Sequence, residues 1–147
     1  MVNALTNDKF ELTELANKLF MYCDARQWAK MLDEVFVPVI WFDAYSMGAG
    51  QPQNIEAKLV CKMWDDGFAG LDPVHHQAGH YLISVQNSST DIFSYAVAVH
   101  YKNSATKGHT RTFLGSYDLK AQQTPRTWRL TQFKYNLKFH GGNISME

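Results

Sequence analysis

The sequence predicts an α+β fold in which helices come first and an antiparallel sheet follows. Apolar residues recur with helical period through the first third of the chain. From residue 75 onward the period changes to two, and turn clusters rather than helices separate the later segments. Sequential strands joined by short turns make an antiparallel meander.

Leu12, Leu15, Ala16, Leu19, Phe20 and Cys23 form one continuous stripe at i, i+3, i+4, i+7, i+8 and i+11, with Asp8 and Glu11 at capping-box spacing in front. Trp28, Met31, Leu32 and Val35 repeat the pattern in a second, shorter helix, and the join falls near residues 24–26. Residues 35–45 are β-branched and aromatic and read as a strand, and the glycines and Pro52 of 46–52 mark a loop. A third helix is expected over 53–66, with Ile55, Leu59, Met63 and Val60, Trp64 as its buried rows and Gly67 as its stop. Four long strands follow at 75–86, 92–102, 109–119 and 127–139, with turns at 87–90, 103–108 and 122–126. Residues 141–147 read as a loose tail. No repeat or linker interrupts the chain, so one domain is expected over 1–147.

With 147 residues, 46% hydrophobic and 14% aromatic, the chain can bury enough apolar surface to offset its ordering entropy, which excludes disorder. Fourteen basic residues balance fourteen acidic ones without a basic run, so no nucleic-acid footprint is expected. Asp8, Lys9, Glu11 and Glu14 are foreign to a signal peptide. The longest apolar run, 35–42, contains Pro38 and falls far short of the roughly 20 residues of a membrane span. Cys23 and Cys61 sit inside helical patterns and read as buried thiols of a reducing compartment, with a bridge as the alternative. The expectation is a cytoplasmic protein that binds neither nucleic acid nor membrane.

The later strands have unusual faces. Phe93, Tyr95, Val97, Val99 and Tyr101 oppose Ile92, Ser94, Ala96, Ala98 and His100, while Tyr81, Ile83 and Val85 oppose His76, Ala78, His80, Leu82 and Ser84. Both faces are fit for burial, unlike those of an antiparallel sheet with one wet side. One reading has the small faces lining a cavity and the bulky faces meeting a second subunit. The other has the bulky face as the core and the small face in solvent.

His75, His76 and His80 invite a metal reading, but in a strand His76 and His80 stand about 13 Å apart, so no metal is expected. Asp24 is either the N-cap of the second helix or the acceptor that fixes a histidine's tautomer and stabilises its cation. His80 and His100, both on small-residue faces, are the candidate partners. Trp41, Asp43 and Tyr45 share a face of the first strand and could line the same interior. Tyr22 and Tyr117 are further hydroxyl candidates, with an ordinary core role as the alternative. No phosphate loop, nucleophile elbow or Cys/His protease signature occurs, so no cofactor is expected.

The order of elements resembles the SnoaL-like family of the nuclear transport factor 2-like superfamily over residues 8–143. The resemblance is carried by Leu19-Phe-Met-Tyr-Cys-Asp24 followed by Ala-Arg-Gln-Trp28, by Val37-Pro-Val-Ile-Trp-Phe-Asp43 and by Gly79-His-Tyr-Leu-Ile83. Gly115-Ser-Tyr-Asp118, Trp128-Arg-Leu-Thr and Gly142-Asn143 complete it. It implies a cone: a curved antiparallel sheet, nuclear transport factor 2-like or cystatin-like, wrapped around three N-terminal helices and enclosing a pocket, commonly as a dimer. Within the superfamily the chain is similar to scytalone dehydratase and hexachlorocyclohexane dehydrochlorinase, which pair an aspartate ending the first helix with a strand histidine. The resemblance maps these onto Asp24 and His80, places His100 as a second histidine, and sets Tyr45 near a strand tyrosine. Cys23 stands where the dehydratase has a tyrosine, and Tyr22 is one position off.

Two functions follow. In the first, the chain is a cofactor-independent lyase of dehydratase type, or an isomerase, with His80 held by Asp24 as general base on a small apolar or cyclic substrate. His100 or a tyrosine would polarise a carbonyl or assist a leaving group. In the second, it is a non-catalytic module of the same fold that binds a small ligand or only dimerises; pure dimerisation predicts a filled interior. The expected partners are a small molecule and a second copy through the convex sheet face.

Overall fold

The computed structural model describes residues 3–147. Helix α1, Ala4–Asp24, starts earlier than the Asp8 signal suggests, because Asn3 Oδ1 accepts the Thr6 amide at 2.8 Å and caps it there. Its buried residues are Leu12, Leu15, Ala16, Leu19, Phe20 and Cys23, the stripe read from the sequence. The second helical stretch is a single turn, α2 (Trp28–Lys30), that widens into a π-turn over Met31–Val35. Met31 and Val35 are fully buried there. The indole of Trp28 donates to Asp65 and ties this turn to the third helix.

Strand β1, Phe36–Asp43, is followed by a 3-10 turn at Tyr45–Met47. Residues expected to open the third helix instead form strand β2, Gln53–Glu56, where Ile55 pairs with Ile40. Free edge hydrogen bonds of β1 outweigh the helical pattern over these four residues. Helix α3 then runs Ala57–Gly67 and buries Ala57, Val60 and Cys61, while Leu59 is exposed. Strands β3 (Val74–Gln86), β4 (Ser89–Tyr101), β5 (Thr110–Gln123) and β6 (Trp128–Gly142) complete the chain.

The six strands lie in the order β2-β1-β6-β5-β4-β3, a curved sheet that does not close. All neighbours are antiparallel except β1 and β6, which run parallel. No hairpin links that pair, so nothing local dictates its direction. One extra residue on β3 between Gly79 and Leu82, and extra residues on β6 opposite Leu114/Gly115 and Lys120/Ala121, are bulges that bend the strands. The concave face closes over α1, and the small side of β4 (Ile92, Ser94, Ala96, Ala98, His100) is buried while Tyr95 is exposed. This favours the first reading of the sheet faces: the small side is interior.

The expected loose tail is folded back. Thr106 donates its amide to the Glu147 carbonyl at 2.8 Å, Asn143 Nδ2 reaches the Gly108 carbonyl at 2.9 Å, and Met146 is buried. Gly142 makes the turn at φ +84°, where a Cβ would stand 2.5 Å from the Thr110 carbonyl oxygen. Cys23 and Cys61 are both buried free thiols. Among the described residues no helix is long and apolar enough to cross a membrane.

Candidate functional site

Asp24, the last residue of α1, does not cap the next helix; Gln27 holds that position without a side-chain bond. Its carboxylate turns to β3. Asp24 Oδ1 lies 2.6 Å from His76 Nδ1, and Oδ2 accepts the backbone amide of His76 at 3.0 Å. A carboxylate only accepts, so Nδ1 carries a proton, and in the neutral ring the lone pair sits on Nε2. The ring packs 5.7 Å from that of Phe20 and opens onto an internal cavity. His75, the next residue back, points outward, with its ring nitrogen 3.7 Å from Asp24.

The expected pairing of Asp24 with His80 is therefore corrected to Asp24 with His76. The bulge on β3 falls at His80, which adopts φ +56°. One extra residue reverses the parity of the strand. Before it, His76 and Ala78 face inward; after it, Tyr81, Ile83 and Val85 pack against the core, and His80, Leu82 and Ser84 are exposed. His80 meets Tyr95 on the outer face, rings 6.0 Å apart.

The cavity encloses about 340 Å³ between α1, α3 and the sheet. Phe20, Phe42, Trp64, Phe68, Phe113 and Phe133 supply most of its wall; His76, His100, Arg111, Tyr117 and Tyr135 supply its polar groups. His100 sits on β4 opposite Arg111 on β5, and Arg111 Nε donates to His100 Nδ1 at 3.0 Å. The ring is thus neutral with its proton on Nε2. Burial, and then the Arg111 charge, bring the His100 pKa down to about 4. Val74 pairs with His100 and His76 with Ala98, so the two histidines are diagonal neighbours on one face, roughly 7–8 Å apart in backbone position.

Burial drives the Tyr117 pKa well above its ordinary value and pushes that of Tyr135 up to about 12, so both hydroxyls remain donors. Burial also raises the Cys23 thiol, leaving it protonated beside the cavity.

Of the other sequence candidates, Tyr117 and His100 line the cavity, whereas Tyr22, Trp41, Asp43 and Tyr45 do not. Phe42 and Ala44 are the inward residues of that strand end, which turns Trp41, Asp43 and Tyr45 away. Asp43 instead accepts the Tyr45 amide at 3.1 Å. Tyr22 donates to Glu34 at 2.7 Å on the outside of α1. Sequence reasoning missed His76, Arg111 and Tyr135. His76 carried a usable signal, since it shares the small-residue face with Ala78 and precedes a glycine that marks the bulge.

The model of the SnoaL-like domain matches residues 5–134. The chain belongs to the SnoaL-like domain family. No curated protein matches its sequence. Among solved structures, this SnoaL-like chain is similar to Kfla4162 from Kribbella flavida, at TM-score 0.89 and 19% identity over 95% of this chain and 96% of that one. It is similar to a provisionally named scytalone dehydratase from Novosphingobium aromaticivorans, at TM-score 0.80 and 11% identity, covering 96% and 91%. It is also similar to a type 2 hexachlorocyclohexane dehydrochlorinase, LinA, at TM-score 0.74 and 8% identity, covering 92% and 90%. At these identities the likeness is one of fold: the α+β cone of the nuclear transport factor 2-like group.

Proposed function

We propose that the cavity of this SnoaL-like protein is the active site of a cofactor-independent lyase or isomerase, with His76 as general base and Asp24 as its positioning residue. The observation that carries this reading is the 2.6 Å contact between Asp24 Oδ1 and His76 Nδ1 at the wall of an aromatic cavity. His76 Nε2 takes a proton from a carbon next to a carbonyl, and Asp24 stabilises the imidazolium that forms. The electron pair moves onto the carbonyl oxygen, where the neutral His100 Nε2–H and a tyrosine hydroxyl donate to the developing oxyanion. Expulsion of a group at the β-carbon completes a lyase; return of the proton to another carbon completes an isomerase. Dehydratase and dehydrochlorinase names among the structural neighbours fit the first branch.

The test follows exchange of the α-protons of a cyclic ketone such as 2-tetralone for deuterium in D₂O by NMR. Wild-type protein accelerates the exchange, His76→Ala and Asp24→Asn lose the acceleration, and His80→Ala keeps it. Equal rates in wild type and His76→Ala overturn the assignment. A second reading, a non-catalytic ligand-binding module, is favoured by the bond from the His76 amide to Asp24 Oδ2, which makes the pair a strut between α1 and β3. Ligand uptake with exchange no faster than in buffer selects it.

A homodimer through the convex face belongs to the same proposal. Tyr95, Leu82 and Phe139 are exposed there, and Val97, Leu114 and Phe139 are paired across three strands. Sedimentation of Leu82→Glu/Phe139→Glu as a monomer beside a dimeric wild type checks it.

A further inference from the structure

The cavity described above holds one charged group that the proton-transfer reading does not require. Of the described residues lining it, Arg111 alone carries a fixed charge. No carboxylate of the described residues lies within ion-pair distance of its guanidinium. Its hydrogen bonds go to neutral acceptors: Nε to His100 Nδ1 at 3.0 Å and Nη1 to the Ile144 carbonyl at 2.8 Å. The guanidinium also stacks 5.5 Å from the centre of the Phe113 ring. Nη2 makes no hydrogen bond to the described residues. A partly buried cation held by two neutral acceptors and a ring face is incompletely compensated, and an anion brought against it forms charge-assisted, bidentate bonds in a low-dielectric wall.

We propose that the cavity takes compact aromatic or alicyclic rings bearing a single carboxylate, with the carboxylate seated on Arg111. Aromatic walls supply the ring site: Phe113 and Phe68 flank His100, and Trp64, Phe42 and Phe133 pack together across the space. One cation matches one negative charge, so the dianionic phosphates of nucleotides find no second partner here, and no glycine-rich phosphate loop occurs in the chain. Burial lowers the Arg111 pKa, the mark of a charge that gains from a counter-ion. This inference rests on the cavity being the ligand site, and it holds whether or not His76 acts as a base.

Calorimetric titration at pH 8 with 2-naphthoate and its neutral isostere 2-naphthamide tests it; at that pH an unperturbed histidine is neutral, so His100 adds no charge in any variant. Wild-type protein is expected to bind the carboxylate roughly tenfold or more tightly than the amide, the size of one hydrogen bond to a charged group. Arg111→Gln removes the preference, the carboxylate losing more affinity than the amide. Arg111→Lys, which keeps the charge, retains a preference and separates loss of charge from loss of fold. Equal affinities in wild type, or a preference that survives Arg111→Gln, overturn the carboxylate assignment and leave the cavity as a site for neutral rings. Failure of both probes to bind overturns the cavity reading itself.

Discussion

Asp24 holds His76 at two points, its ring through Nδ1 and its backbone through the amide, at 2.6 Å and 3.0 Å. One carboxylate thereby fixes both the tautomer of the imidazole and the seat of the strand that carries it. The two-point grip couples the end of α1 to the start of β3, and the base to the fold.

Replacing Asp24 by Asn separates those roles. The amide oxygen can still accept one bond, but the charge that stabilises an imidazolium is gone, and an amide N–H facing Nδ1 would select the tautomer protonated at Nε2, which removes the lone pair there. Exchange or turnover is expected to fall by about 10²–10⁴-fold, with the far-ultraviolet circular dichroism unchanged. A loss below tenfold would show that the carboxylate acts only as a strut.

His80 gives the opposite expectation. It is exposed at φ +56°, a conformation that costs a non-glycine residue on the order of 1 kcal/mol. His80→Gly relieves this strain and leaves the cavity untouched, so stability stays level or rises by a few tenths of a kcal/mol against the added unfolded-state entropy. Chemical denaturation checks it, and a loss above about 1 kcal/mol would reveal a structural role for the ring.

Periodicity made most of the fold legible because it reports burial directly. The α1 stripe is buried residue for residue, and the small face of β4 is interior. What periodicity could not carry was a change of phase. A strand read as a uniform alternation puts His76 and His80 on one side, yet a single bulge residue sends them to opposite sides. The same limit hid β2, where four residues with a helical pattern satisfy an open strand edge instead. Arg111 and Tyr135 were invisible for a different reason: each joins the site across strand pairs whose register no local pattern fixes.

Gly115 shows how tightly the wall behind the tyrosines is packed. A Cβ there would lie 2.5 Å from both the Asn136 carbonyl oxygen and the Tyr135 hydroxyl. Backbone cannot yield cheaply in a paired strand, so Gly115→Ala must push strands β5 and β6 apart and also displace the Tyr135 ring. Overpacking of this kind is expected to cost about 1–3 kcal/mol. A thermal melt reads the cost, and a neutral substitution would mean that the strand pair and the ring both yield there.

The last expectation concerns pH. His100 is held neutral by burial and by the Arg111 charge, with its folded pKa lowered to about 4 from an ordinary value of 6.5. A depressed histidine pKa means that between those two values the unfolded chain binds a proton that the folded chain refuses. The stabilisation is complete above pH 6.5 and is lost progressively as the pH falls toward 4. Allowing for hydration through the cavity, the contribution of this one ring is on the order of 2 kcal/mol. Urea titrations at half-unit steps from pH 4.5 to 7.5, run on wild type and His100→Gln, isolate it: the wild type loses stability on acidification more steeply than the variant, and the difference flattens above pH 6.5. Arg111→Gln, which removes the neighbouring charge but not the burial, is expected to lose less stability on acidification with the same onset near pH 6.5, and parallel curves for wild type and His100→Gln would show that His100 is not the group being titrated.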